Sequence, residues 1–456
     1  MTDITTDSGL VVPDVSLESF DPVADALVGT DTNDGYGLRV SGTDLTLDGH
    51  IFYPVGWNSV AALYATPNSL SIEYQAAFDQ FTNTCNSLVQ WGANIVRLQV
   101  VQNVLVDTVD MEPVIIGDST ITAREAYIDL ISGLVGIAEG VGLCVILCMM
   151  DELPIPAGSL DDPSTAQHFG YIDHTNYYSG GSYHWVNTGQ TTAAWKALAA
   201  AFKNDPMVMF ELFNESHLGL TGATDPIVDA DWSLWQSENQ GLIDTIRGVG
   251  APNICIAGGH DKDKAYSGCT SSLLLTDSTG YGIAYAVHPY NYYSGDPADW
   301  TTNWGWVSEF APMLATEWYA TDKSLIFTTT ADFLSFVSAN SIGLLAWVFD
   351  NIHDPTSSGD QLLGHPTRYG NFIPDTDDFS QPWEFQATPC GTQFMEWMID
   401  DIAALTFTST VGADASSATL NFPAPDWLVP GVQVQLIGGT AEVVTILTVS
   451  DTEVTF

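Results

Sequence analysis

The chain has 456 residues, 45% of them hydrophobic and only 14% charged, so it carries ample material for a large core and does not read as disordered. Against 56 acidic residues it sets 10 basic ones, a formal net charge of −46 at pH 7. That field excludes holding nucleic acid by its phosphates, which relies on Lys and Arg, and it disfavours an acidic membrane surface.

The acidic excess runs along the whole chain rather than gathering in a tail, and only five Lys oppose it. This pattern resembles the proteins of extreme halophiles, whose surface carboxylates stay hydrated in strong brine while salt screens their repulsion. Stability that rises with salt is the expectation. Six Cys without CxxC spacing give neither a disulfide framework nor a zinc site, and Cys144, Cys148 and Cys255 fall in apolar runs as buried thiols. No metal and no cofactor is expected. The N-terminus has neither a basic region nor an apolar core, so no signal peptide is expected in this chain, and no apolar stretch reaches the roughly 18 residues of a membrane span. An extracellular, surface or particle-associated location is the expectation, reached by another route or by a leader outside this chain.

In chain order, residues 1–35 are acidic and rich in Thr and Asp, and read as an N-terminal arm. Leu38 to Asp48 alternates and turns at Asp48-Gly49, which predicts a hairpin capping the bottom of a barrel. Strands are then predicted at Phe52 to Trp57, Asn94 to Val100, Leu143 to Met150, Met207 to Asn214, Asn253 to Gly258, Ile283 to His288, Pro312 to Glu317 and Ile342 to Phe349. Apolar residues at helical spacing predict helices between them, as at Tyr74 to Val89, Tyr127 to Ala138, Ala193 to Phe202, Trp235 to Arg247 and Ala331 to Val337. Strands alternating with helices in this way predict an α/β fold, a (β/α)8 TIM barrel, over residues 36–405. Short alternating strands with Gly-Gly and Pro punctuation predict a small all-β module over residues 406–456. The connection from Asp151 to about Thr191 is long and rich in Tyr, His, Gly and Trp, as functional loops are.

Two carboxylates stand where such a barrel does its chemistry. Phe210 to His217 reads Phe-Glu-Leu-Phe-Asn-Glu-Ser-His, so Asn214 and Glu215 emerge at the carboxyl end of the fourth strand, and Glu317 ends the seventh. Facing carboxylates are what glycosidic cleavage needs: one protonates the leaving oxygen, the other attacks or activates water. Arg97, one of five Arg and set inside an apolar strand, must have a buried anionic partner. A cation beside Glu317 would keep it ionised as a nucleophile, leaving Glu215 as the acid. Exposed Trp185, Trp304, Trp306 and Trp318 are further candidates to stack on sugar faces along a cleft.

Gly56-Trp57-Asn58, Asn94-Ile95-Val96-Arg97, Asn214-Glu215, His288-Pro289-Tyr290, Thr316-Glu317 and Trp347, in that order on successive strands, resemble glycoside hydrolase family 5, the retaining cellulase and mannanase barrels. The likeness covers about residues 38 to 404. It implies Glu215 as acid/base and Glu317 as nucleophile, steadied by Arg97 and Tyr290. It also implies Asn214 on the sugar 2-hydroxyl, His288 near the reaction centre, Trp347 as a sugar platform and Trp57 among the substrate-binding residues. Ser216 stands where the family usually has Pro, and Cys148-Met149-Met150-Asp151 where many members end the third strand with His. Gly180-Gly181-Ser182-Tyr183-His184-Trp185 resembles a loop of mannanase-like members.

Two readings stand. One is a retaining endo-β-glycosidase acting on β-1,4-glucan or mannan at high salt, with polysaccharide as partner. The other is a glycan-binding structural or adhesive part of a larger assembly, such as a virus tail, docked through the N-terminal arm and the β module.

Overall fold

In the computed structural model the described residues are 37–64, 74–106, 114–116, 119–150, 174–179, 182–187, 189–216, 232–290, 297–318, 326–349, 364–366, 385–387, 394 and 396–398, with short strands between 417 and 455. The expected N-terminal arm lies outside them. Eight parallel strands close into a barrel: β1 (Val55–Ser59), β2 (Ile95–Val101), β3 (Cys144–Met150), β4 (Val208–Glu211), β5 (Cys255–Gly258), β6 (Ile283–Val287), β7 (Met313–Ala315) and β8 (Gly343–Ala346), which pairs back onto β1. Each overlaps its predicted segment.

Helices α1 (Tyr74–Gln90), α2 (Ala123–Gly140), α3 (Gln190–Phe202), α4 (Trp232–Gly248) and α5 (Ile326–Ala339) lie on the predicted amphipathic stretches. The start of α2 is fixed by Thr122 and Glu125, which bond each other's backbone amides in a capping box. Its end is fixed at Gly142, whose φ of 87° lets the chain turn back into β3. Between β6 and β7 the structure adds two short helical pieces, Pro297–Asn303 and Gly305–Glu309, too short to leave a helical period in the sequence.

The strands are buried on both faces, and alternation sorts their side chains into two shells. In β3, Val145, Leu147 and Met149 point outward against the helices, while Cys144 and Ile146 point into the barrel. The lower part of the interior is apolar, with Ile95, Ile146, Met209, Ile256 and Leu314 among its side chains. Each such burial stabilises by about 1.5–3 kcal/mol, so this layer is a firm floor. Leu38–Ser41 and Asp44–Leu47 form the expected hairpin, and Leu38 and Leu45 close the floor from below. The Leu38 and Val40 amides donate to Pro206 and Tyr281 carbonyls at 2.9 and 2.8 Å, just ahead of β4 and β6, which fixes the hairpin at the amino end.

After β3, His174–Ser179 and Ser182–Asn187 pair as an antiparallel hairpin in the long connection; its side chains, Trp185 included, lie outside the described residues. Where terminal strands were predicted, Ser417–Thr419, Gln433–Leu436, Glu442–Thr445, Thr448–Val449 and Glu453–Thr455 pair antiparallel in two small sheets. No helix among the described residues is long and apolar enough to cross a membrane.

Candidate active site

Above the apolar floor the inward positions turn polar, and Arg97 on β2 is the hub. Fully buried, it donates from Nε to Glu211 Oε2 at 2.5 Å and from Nη2 to Glu211 Oε1 at 3.1 Å, a two-pronged pair. Its Nη1 donates to Glu317 Oε1 at 2.7 Å and to Asn58 Oδ1 at 2.7 Å, and its Nη2 to Asn214 Oδ1 at 2.8 Å. The required anionic partner is therefore double. Glu317 takes one prong, and Glu211, at the end of β4, takes two.

Cys148 occupies the end of β3, with its sulfur 3.0 Å from Arg97 Nη2. Burial pushes its thiol well above the ordinary range, so it stays S–H beside the guanidinium rather than adding a third anion. Arg97 thus gains a neutral sulfur acceptor on β3.

Three donors converge on the Glu317 carboxylate. Arg97 Nη1 and Gln99 Nε2 reach Oε1 at 2.7 and 3.1 Å, and the Tyr290 hydroxyl reaches Oε2 at 2.6 Å. Accepting from all three fixes both oxygens and keeps them oriented without any rearrangement. Glu317 is 5% exposed, whereas the Glu215 side chain is 30% exposed and stands toward the open mouth. A carboxylate oxygen of each, together with a ring nitrogen of His288, lie within 4.8 Å of one another.

His288 links the two sides. Its Nδ1 lies 3.1 Å from Glu215 Oε1 and 3.6 Å from Glu317 Oε2, and its Nε2 lies 3.1 Å from Thr316 Oγ1. Thr316 spends its own proton on Glu211 Oε1 at 3.0 Å, so Nε2 must be the donor in that contact. The ring proton facing Glu215 is then the one free to come and go. Burial pushes the imidazole down, but Glu317, Glu215 and Asp263 outweigh it and raise its pKa to about 9.

That shift has a sign. A folded pKa above the ordinary 6.5 contributes stability that is complete below about pH 6.5 and lost as pH rises through about 9. Denaturant unfolding in molar salt is expected to show a fall on the order of 3 kcal/mol across that window, and His288→Gln is expected to lack it. Equal falls in both proteins would refute this role for the ring.

Trp347, one residue past β8, is half-buried on the inner side by the alternation of Leu345 in and Ala346 out. Its amide donates to the Trp318 carbonyl at 2.9 Å. Trp57 is a correction. It is wholly buried on the outer face of β1, with ring centroids 5.7 Å from Trp91, 5.8 Å from Phe349 and 4.9 Å from Phe394. Its neighbour Asn58 is the residue that turns inward. Trp304 and Trp318 are likewise fully buried in the core and line no cleft, and Trp306 packs against that core. Glu211, Gln99, Thr316 and Asp263 went unread in the sequence as site residues; Glu211 was hidden as one letter of an apolar run.

A closed parallel barrel with two carboxylates converging at the carboxyl ends of its strands defines a barrel enzyme equipped to cut glycosidic bonds. Residues 64–352, well over half of the chain, match the cellulase family, glycosyl hydrolase family 5. The chain belongs to that family and is a glycoside hydrolase. No curated protein matches it by sequence. Among solved structures, a β-glucanase from Saccharophagus degradans in complex with cellotetraose is similar at a TM-score of 0.54 and 19% identity, over 80% of this chain and 93% of that one. The native form of that β-glucanase gives 0.53 at the same identity and coverage. The catalytic domain of a mannanase from Streptomyces sp. SirexAA-E gives 0.49 at 13% identity, over 80% of this chain and 90% of that one. At these identities the likeness is one of fold.

Proposed function

We propose that this chain is a retaining endo-β-glycosidase acting on β-1,4-linked glucan or mannan, adapted to strong salt. The observation that carries the reading is the approach of the two carboxylates to within 4.8 Å, oxygen to oxygen. Nearest oxygens this close favour the retaining arrangement, whose carboxyl groups as a whole stand about 5–5.5 Å apart, over the inverting one, which leaves roughly 6.5–9.5 Å for a water between them. The unequal surroundings support the division of labour. Glu317, held by three donors, is the nucleophile; Glu215, nearer solvent and in contact with His288, is the acid/base.

In the first step a Glu317 oxygen bonds to the anomeric carbon as the bond to the leaving oxygen breaks. That oxygen takes the proton held by Glu215. In the second step Glu215 removes a proton from water. The water oxygen bonds to the same carbon and Glu317 leaves as a carboxylate. Asn214, which Arg97 holds, is assigned to the 2-hydroxyl and Trp347 to the face of the sugar, as the family resemblance implies. The reaction is tested by reducing-end release in molar salt from β-glucans, β-mannans and xylans. β-Glucan is the first choice because the similar β-glucanase is in complex with cellotetraose. Release from glucan or mannan is expected. None from any polymer, by folded protein, would favour a glycan-binding role instead.

Salt adaptation rests on the net charge of −46, whose self-repulsion weighs against the compact state unless it is screened. The unfolding midpoint is expected to rise steadily from low to molar salt. A midpoint that does not move with salt would contradict it.

A further inference from the structure

One carboxyl group in the site takes no part in these steps. Asp263 ends a single helical turn, His260–Asp263, directly after β5, and its side chain is fully buried in the barrel. Gly258 makes the room: a Cβ there would lie 2.1 Å from Asp263 Oδ1. Asp263 Oδ2 accepts from the backbone N–H of Glu215 at 2.7 Å, and its backbone carbonyl accepts from the N–H of His288 at 2.7 Å. One residue in the turn after β5 thus ties down the segment carrying Glu215 and the segment carrying its partner His288.

The tie matters because of the backbone it holds. Glu215 has a φ of 50°, in the left-handed region that residues with a Cβ rarely adopt unless their surroundings impose it. Without an acceptor for its amide, the Glu215 backbone is free to relax toward an ordinary conformation. Its carboxyl would then swing away from His288 Nδ1. A shift of about 1 Å at a reacting group is enough to lower a rate by roughly a hundredfold.

We propose that Asp263 is a positioning residue that holds Glu215 in register for proton transfer to the leaving group, an inference that rests on Glu215 being the acid/base. Glu211, Asp263 and His288 also stand close enough to suggest a cation site. Most of their atoms are committed elsewhere: Glu211 to Arg97 and Thr316, His288 Nε2 to Thr316, and Asp263 Oδ2 to the Glu215 amide. The one open oxygen, the buried Asp263 Oδ1, does not by itself make a cation site. The groups facing Asp263 are Glu211, Glu215, His288, Tyr266 and Cys148. Burial, ahead of the opposing pull of His288, holds its carboxyl well above the usual range. Asn, which has nearly the same shape and retains an acceptor oxygen for the Glu215 amide, is its conservative substitute.

The test compares kcat/KM on cellotetraose, whose leaving group needs a proton, with kcat/KM on dinitrophenyl β-cellobioside, whose leaving group does not. Asp263→Ala is expected to lose roughly 10- to 100-fold on cellotetraose and less than about threefold on the aryl substrate. Asp263→Asn is expected to restore the tetraose rate to within about threefold of wild type. If the Ala protein does not fold, Asp263→Ser, whose hydroxyl is too short to reach the amide, is expected to show the same split. Equal losses on both substrates, or no loss on either, would overturn the proposal. Glu215→Gln is the control on its premise. That variant must show the larger split; if it does not, the acid/base assignment falls, and the inference with it. A split in Glu215→Gln with none in the Asp263 variants sinks the positioning role alone.

Discussion

Replacing Glu317 with Gln is expected to abolish turnover, lowering kcat by about ten-thousandfold or more while the protein stays folded and still binds polysaccharide. The amide has the size of the carboxylate but cannot form the glycosyl ester. Its nitrogen would also face one of the donors, Arg97, Gln99 or Tyr290, that now all point at oxygen. Glu317→Ala opens space in place of the nucleophile. Azide added to that variant is expected to restore turnover and give a glycosyl azide of inverted configuration, because the small anion attacks directly from the vacated side. Azide added to Glu215→Ala is expected to give the retained configuration, by attacking an ester already formed on Glu317. The opposite pairing of variants and products would exchange the two roles.

The second large effect concerns stability. Arg97→Met leaves Glu211, itself 0% exposed, without its two-pronged partner in the middle of the barrel. Breaking a buried pair from one side is destabilising by about 3–5 kcal/mol, because the remaining charge keeps its desolvation penalty and loses its compensation. The fall is expected in denaturant unfolding in molar salt, together with loss of activity, since Glu317 and Asn214 lose the same anchor. Arg97→Lys should fall between, because a point charge cannot serve the fork to Glu211 and the prongs to Glu317, Asn58 and Asn214 at once. The pair is also expected to be non-additive. Arg97→Met with Glu211→Leu should be more stable than Arg97→Met alone, as the Glu211 charge is then no longer stranded and only Glu317 has lost its cation. An Arg97→Met protein as stable as wild type would show that the hub contributes nothing to the fold.

The barrel was legible in the sequence because parallel strands covered on both faces leave short apolar runs, and the amphipathic helices between them leave a second period. The placement of Glu215 and Glu317 at the carboxyl end of the barrel was legible because each follows an apolar run that predicts a strand. What lay inside the runs was harder to read. Glu211 sits four positions before Glu215, within an otherwise apolar strand, and only the demand of Arg97 for an anion hinted at it. Trp57 shows the converse difficulty: Gly56-Trp57-Asn58 read as one motif, yet alternation sends Trp57 outward and Asn58 inward, onto Arg97. Asp263 lies in a turn whose return into the barrel no periodicity encodes. Gly258, a glycine in a buried strand, was the one local sign that something approaches closely there.

The central claim, double displacement through Glu317, is tested most directly by the anomer first released from a cello-oligosaccharide, followed by proton NMR in molar salt before mutarotation mixes the products. The β-anomer is expected at the earliest times, with the α-anomer growing in only as mutarotation proceeds. Initial release of the α-anomer would mean a single inversion, and would contradict the covalent role of Glu317.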